Sequence, residues 1–120
     1  METMYKEEIL DLYAEKPNYG PLKNKTHSAI LENPSCGDEI HLDLKVENGK
    51  IIDAKYTNKK GCFVTIVSAS AITEKIKGMT LEEVKKLSKK DIDKLLGIKI
   101  IETRIACELL PLEAIKEAIK

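Results

Sequence analysis

The chain has 120 residues, and its 20 basic and 20 acidic side chains leave a formal net charge of zero. This length fits one domain, expected over residues 1–120, and the balanced charge gives no positive field that would attract nucleic acid or an anionic membrane. Hydrophobic residues make up 42% of the chain, which is enough to form a core and excludes a disordered protein.

The N-terminal segment predicts a short amphipathic helix. Ile9, Leu12 and Tyr13 recur at helical spacing between about residues 5 and 14. The segment 16–21 contains two prolines and a glycine, which stop the pattern and end the helix.

A β-hairpin is predicted in the middle of the chain. Apolar and polar residues alternate over residues 39–46, and the Asn48-Gly49 pair that follows is the strongest short hairpin signal. The return strand is expected over about residues 50–57. A third strand is expected over residues 28–31, before a proline breaks it.

The rest of the chain is predicted to be helical. Small and apolar residues after Cys62 fit a largely buried helix that reaches about Lys77 and is ended by Gly78. The three helices that follow each carry their own signal, namely a Thr80/Glu83 capping box, Gly97 after residues 90–96, and a last helix over residues 105–119 that contains Pro111. We expect that proline to kink the last helix or to mark a fresh first turn.

The three cysteines are the residues that are the strongest candidates for a reactive or metal-binding role. The acidic start of the chain is unlike a signal peptide, and no run approaches the roughly 18 apolar residues that span a bilayer, so we expect a cytoplasmic protein with reduced thiols. Cys36 lies in a polar turn, Cys107 lies near the start of the last helix, and Cys62 begins a helix whose orphan amide groups favour a thiolate. An odd number of cysteines in this setting indicates thiolate chemistry or metal binding before a disulfide framework.

The predicted hairpin brings two of these cysteines together. Its strands run away from Cys36 and return over a similar length, so Cys62 comes back to the end of the sheet where Cys36 lies. The hairpin does not place Cys107, which beside Ile105 and Leu109 is also typical of a small apolar core residue. The residues alone leave metal binding and core packing open, since the short paired spacings of zinc fingers are missing.

Three ordered motifs resemble one known family over nearly the whole chain. The family is that of the IscU, SufU and NifU-type iron-sulfur cluster assembly scaffolds. The segments similar to its ligand motifs are Asn33-Pro34-Ser35-Cys36-Gly37-Asp38, Gly61-Cys62 with Ser68-Ala69-Ser70, and Arg104-Ile105-Ala106-Cys107. The segment with Leu12-Tyr13, Pro17-Asn18-Tyr19-Gly20 and Leu22 is similar to the family's N-terminal segment.

The resemblance implies an α+β fold with a small, mainly antiparallel three-stranded sheet packed against several helices. It also implies a site of Cys36, Asp38, Cys62 and Cys107 that holds a transient [2Fe-2S] cluster, with iron or zinc as alternative occupants. Thiolates suit iron and zinc, whereas the carboxylate of Asp38 is a harder and more exchangeable ligand. A scaffold needs such a ligand because it must release the cluster that it binds. The implied partners are a cysteine desulfurase, apo-proteins that accept the cluster, and a second copy of the chain in a homodimer or higher oligomer.

Two positions depart from the family's pattern. Ala106 stands where many members have His or Lys before the third cysteine, which leaves Asp38 as the expected fourth ligand. Residues 100–104 replace the Leu-Pro-Pro-Val-Lys segment that an Hsp70-type chaperone reads in the IscU branch. We therefore do not expect recognition by such a chaperone.

Other polar side chains near the motifs are assigned no ligand role. His27 and His41 are expected to be solvent-exposed, since His41 lies on the polar side of an alternating strand. Ser68 and Ser70 are expected to pack as small residues within a helix, because no Ser-His-Asp arrangement surrounds them.

Three functions remain open from the sequence. The first is a non-catalytic scaffold that builds a [2Fe-2S] cluster and transfers it to apo-proteins. The alternative is a SufU-type zinc-dependent sulfurtransferase that accepts persulfide sulfur from a cysteine desulfurase, although the stretch ahead of Cys107 is too short for the long insertion of that branch. The third is a small domain in which zinc only holds the fold together.

Overall fold

The computed structural model has an α+β fold. It describes the backbone of residues 2–34 and 37–120 and the side chains of residues 7–34 and 37–120. Its elements in chain order are α1 (Glu2–Glu15), β1 (His27–Asn33), β2 (Asp38–Glu47), β3 (Lys50–Lys60), α2 (Phe63–Ile76), α3 (Leu81–Lys85), α4 (Lys89–Leu96), a 3-10 turn (Glu102–Arg104) and α5 (Ile105–Ala118). The predicted fold class, with a three-stranded antiparallel sheet and several helices, is confirmed.

The sheet has the strand order β1-β2-β3. Asn48 and Gly49 join β2 to β3 with φ values of 52° and 76°, which are the two positive angles that a type I′ hairpin turn requires. Glu39 of β2 pairs with Lys60, so β3 continues beyond its predicted end near residue 57. The start of β2 and the end of β3 therefore lie at the same end of the sheet, directly before α2 begins.

Helices α2 and α5 cover the apolar face of the sheet. Ile40, Leu42 and Leu44 alternate along β2, and all three are fully buried. Helix α5 contacts β1 and β2, and α2 contacts both β3 and α5. Burying one large aliphatic side chain contributes roughly 1.5–3 kcal/mol, so this layer holds the start of α2 and the start of α5 firmly against the sheet.

The predicted helix signals are confirmed, and one of the two alternatives for Pro111 is excluded. Thr80 and Glu83 form a reciprocal capping box at α3, and Gly97 ends α4 in the left-handed conformation with φ 67°. Pro111 lies inside the continuous helix α5 and does not mark a fresh start. None of the described helices combines the length and the apolar composition that crossing a membrane requires.

Candidate metal centre

Asp38 and Cys62 meet where the hairpin ends and α2 begins. Asp38 is the first residue of β2, and Cys62 is the N-cap residue of α2. The Cys62 backbone N–H donates to Asp38 Oδ1 over 3.1 Å, so the carboxylate satisfies one of the orphan donors of the helix. A Cβ at Gly61 would collide with the side-chain amide of Asn58, so a larger residue there would displace that side chain.

Cys107 reaches the same place from the first turn of α5. Its side chain is almost completely buried, and α5 is fixed beside α2 by a 2.6 Å hydrogen bond that Ser68 Oγ donates to the backbone carbonyl of Glu108. The ligand atoms of Asp38, Cys62 and Cys107 all lie within 4.8 Å of one another. Three of the four predicted site residues are thus adjacent, and the fourth, Cys36, lies outside the described residues.

Thr65 lies among these three residues and was missed by the sequence reasoning. Its side chain is fully buried, and its hydroxyl donates to Asp38 Oδ2 over 2.6 Å. Thr65 Oγ1 also lies 3.5 Å from Cys62 Sγ and 3.4 Å from the backbone carbonyl oxygen of Cys107. The available signal was its position three residues after the N-cap, where a polar side chain in the first turn can reach back over the helix end.

The donor set fits a tetrahedral metal ion. Ligand atoms placed at usual bonding distances around tetrahedral zinc are separated by about 3.3–3.8 Å. Atoms within 4.8 Å of one another need only small side-chain rotations to reach that spacing. Two thiols and one carboxyl group are also a chemically suitable set for zinc or for an iron-sulfur cluster.

Comparison with known proteins decides the family. The family described as NifU-like N terminal domain matches residues 4–120. The chain belongs to this family.

Individual relatives of this family member carry different names. The iron-sulfur cluster assembly enzyme IscU of Drosophila melanogaster is 37% identical, with 98% of this chain and 77% of the relative covered. The zinc-dependent sulfurtransferase SufU of Bacillus subtilis is 30% identical, with 99% and 91% covered. The nitrogen fixation protein NifU of Trichormus azollae is 34% identical over 96% of this chain, which spans 40% of that protein.

A solved structure with the same fold is a candidate iron-sulfur cluster assembly scaffold protein for the SUF system from Fervidobacterium islandicum AW-1. It is 28% identical to this chain, the TM-score is 0.78, and 95% of each chain is covered. The fold expected from the resemblance is therefore shared with a structure of that family.

Neither His27 nor His41 belongs to the cluster of possible metal ligands that the described residues form. His41 Nε2 lies 3.1 Å from Glu39 Oε2, and His27 Nδ1 lies 2.8 Å from Thr26 Oγ1. Both residues are partly exposed, and 37% of the His41 side chain is accessible to solvent, so the expected exposure of the two histidines is confirmed in part. Ser68 and Ser70 are buried in α2, where Ser70 Oγ lies 2.6 Å from the Tyr56 hydroxyl, and their predicted packing role is confirmed.

A second buried carboxyl group follows Cys107 in α5. Glu108 is fully buried, and among the described residues both of its carboxyl oxygens and Asp93 Oδ1 have no hydrogen-bond partner when charged. When Glu108 is protonated, it can donate a hydrogen bond to Asp93. Burial is the main cause and this hydrogen bond the second cause that raise the pKa of Glu108 to about 7. Lys89 Nζ lies 2.7 Å from Asp93 Oδ2 and 4.0 Å from Glu108 Oε1, which balances the charge that remains.

Proposed function

We propose that this chain is a scaffold for iron-sulfur cluster assembly, on which Cys36, Asp38, Cys62 and Cys107 hold a [2Fe-2S] cluster until it is transferred. The observation that carries the proposal is the convergence of the Asp38, Cys62 and Cys107 ligand atoms within 4.8 Å. Cys36 would add the third thiolate from the turn that precedes β2. Residues 1–120 would form one scaffold domain.

The cluster is cargo in this proposal, and the protein is not a catalyst. Three thiolates and one carboxylate supply the four ligands that a [2Fe-2S] cluster requires. Cys107 and Asp38 are buried, whereas Cys62 is half-buried, so an acceptor thiol would approach from the side of Cys62. The proposed partners are a cysteine desulfurase, which supplies sulfur, apo-proteins that accept the cluster, and a second copy of the chain. The proposed location is the cytoplasm.

A zinc-dependent sulfurtransferase is the second candidate, because a relative with that name is 30% identical to this chain. The same four side chains would then hold zinc, and one of the cysteines would accept persulfide sulfur. The short stretch before Cys107 favours the scaffold, since the SufU branch has a long insertion there. Zinc that only stabilises the fold is the third candidate, and it predicts unfolding when the metal is chelated.

Anaerobic reconstitution with iron and sulfide separates these candidates. Visible absorption and metal analysis should show a cysteine-ligated [2Fe-2S] cluster on the wild-type protein. Cys36→Ser, Cys62→Ser and Cys107→Ser should each lose cluster, because an alcohol is a far poorer ligand for iron than a thiolate. The matched control is His41→Ala, which should retain the wild-type yield.

Two results would contradict the proposal. Tight zinc with no cluster formed would favour the other candidates, and unfolding on chelation would then distinguish structural zinc from a sulfurtransferase. Full cluster occupancy in Cys107→Ser would remove that residue from the site.

A further inference from the structure

We propose that Thr65 is a positioning residue for Asp38, whose hydroxyl orients the carboxylate toward the bound metal and thereby sets how strongly the fourth ligand binds. The proposal deepens the proposed function and rests on it, because it takes Asp38 as a ligand. It concerns a residue that is not among those that carry the resemblance, although it lies between the two parts of the second motif.

The first support is the geometry of the Asp38 carboxylate. Thr65 Oγ1 donates to Oδ2 over 2.6 Å, and the Cys62 backbone N–H donates to Oδ1 over 3.1 Å. The shorter bond has the length of a charge-assisted O–H···O⁻ bond. Two donors on the first turn of α2 thus fix the plane of the carboxylate.

The second support is that the Thr65 hydroxyl has one proton and three acceptors within reach. The Asp38 contact is the shortest and takes the proton, whereas Cys62 Sγ at 3.5 Å and the Cys107 carbonyl oxygen at 3.4 Å are more distant. If Asp38 turns away during release, the proton can rotate toward either of them. The hydroxyl is fully buried, and this alternative removes the cost of leaving it without a partner.

The third support is the contrast with another buried threonine of the same helix. Thr73 Oγ1 donates to the backbone carbonyl of Ala69 over 2.6 Å, which is the usual bond to the preceding turn. The Thr73 oxygen also accepts from Asn18 Nδ2 over 3.1 Å, but only the Thr65 hydroxyl donates its proton to a carboxylate, which lies 27 residues away in the chain. A valine would fill nearly the same volume, so packing alone does not require the hydroxyl at position 65.

Metal affinity is the readout that separates positioning from packing. Zinc and Co²⁺ binding to the whole chain would be measured anaerobically by competition with a chromophoric chelator. We expect Thr65→Val to weaken zinc binding about tenfold and Thr65→Ser to retain most of the affinity. Thr73→Val is the matched control, with the same change at an equally buried site of α2, and it should bind zinc as the wild type does.

The coupling to Asp38 is tested with the double variant. Asp38→Ala alone should weaken zinc binding, and Thr65→Val should cause no further loss in that background, because the residue acts through Asp38. The Co²⁺ absorption bands should shift in the same direction in Thr65→Val and in Asp38→Ala. Thr65→Ala provides a second variant without the hydroxyl if Thr65→Val folds poorly.

Three outcomes would overturn the proposal. Wild-type affinity in a folded variant without the hydroxyl, or an equal further loss in the Asp38→Ala background, would show that Thr65 only packs or acts elsewhere. In those two cases the Asp38 assignment of the proposed function would stand. Unchanged affinity in Asp38→Ala itself would remove Asp38 as a ligand, and the Thr65 proposal with it.

Discussion

Two buried carboxyl groups adjoin Cys107, and their surroundings differ. Asp38 lies across the site with 4% of its surface exposed, and each of its oxygens accepts a hydrogen bond from the first turn of α2. Glu108 is the next residue along α5 and is fully buried, and no described residue donates to its carboxyl oxygens. The two carboxyl groups are therefore about equally buried, but only that of Asp38 accepts hydrogen bonds from the described residues.

The difference shows that donors, and not depth, distinguish the two carboxyl groups. The donors on Asp38 and the helix N-terminus that carries them stabilise a negative charge, which a metal ligand needs. Glu108 receives no such compensation, so burial favours its protonated form, in which it can donate to Asp93. A search for buried acidic residues alone would have selected both groups, and it would not have distinguished Asp38, which lies beside the two thiols, from Glu108, which does not belong to that cluster.

The largest expected effect is on cluster transfer from Asp38→Ala. The remaining thiolates should still hold a cluster, but transfer to an apo-ferredoxin should slow by roughly tenfold or more. An entering thiol must lose its proton before it binds iron, and Asp38, as the proposed exchangeable ligand, would leave the iron and accept that proton. Rates would be measured from reconstituted proteins, with Glu108→Gln as the control expected to transfer normally.

Transfer from Asp38→Ala at the wild-type rate or faster would contradict this role. The carboxylate would then only cap the turn before β2, and its loss would cost on the order of 1 kcal/mol of stability. Slower transfer from Glu108→Gln than from Asp38→Ala would reverse the comparison between the two carboxyl groups.

The next effect is a pH dependence of stability that Glu108 controls. Its pKa in the folded protein is about 7, above the ordinary value of 4.5, so between these values the folded state holds a proton that the unfolded state has released. The free energy of unfolding should therefore fall as the pH rises from about 5 to above 7. The loss should be on the order of 1–2 kcal/mol, after allowance for screening by Lys89 and solvent.

Urea unfolding of the metal-free, reduced protein at a series of pH values would measure this slope. Glu108→Gln should flatten it, because a neutral amide does not titrate. Glu113→Gln is the matched control, since Glu113 is exposed on the same helix, and it should keep the slope. An unchanged slope in Glu108→Gln would show that another group is responsible.

The frame of the fold and half of the site were predictable from local patterns. The Asn48-Gly49 turn and the alternation of β2 predicted that Cys62 returns to the end of the sheet where Cys36 lies, and the structure places Cys62 beside Asp38 at that end. Cys107 was expected at the site only through the resemblance, because its arrival depends on how α3 and α4 deliver α5. Packing over long sequence distances decides that path, and periodicity does not contain it.

The two residues that sequence reasoning missed were hidden by their neighbours. Thr65 lies in a run of small and apolar residues and was interpreted as part of a buried helix face. Glu108 lies four and seven residues before Leu112 and Ile115, which places it on the buried stripe of α5. That spacing was a signal for a buried charge, but its partners Asp93 and Lys89 come from another helix.

The smallest expected effect comes from Lys89, which acts on Glu108 through charge. Its Nζ lies 4.0 Å from Glu108 Oε1 and 2.7 Å from Asp93 Oδ2, and it lowers the pKa of both carboxyl groups. Lys89→Met removes the ammonium and keeps an unbranched apolar stem. The pKa of Glu108 should then rise further, because its ionised form loses a favourable neighbour. The pH range over which stability falls should move to higher pH, by less than the change that Glu108→Gln causes.

The control for this variant is Lys94→Met, which removes the same charge from an exposed position of α4. Both variants change the net charge equally, so any general effect of charge on unfolding is common to them. Only Lys89→Met should displace the pH profile of urea unfolding between about pH 5 and 7. This displacement should vanish when Glu108→Gln is added, because the pKa of Asp93, the other carboxyl group beside Lys89, is held below its ordinary value and Asp93 titrates at lower pH. Matching profiles for the two lysine variants, or a displacement that persists in the Glu108→Gln background, would show that Lys89 does not influence the titration of Glu108.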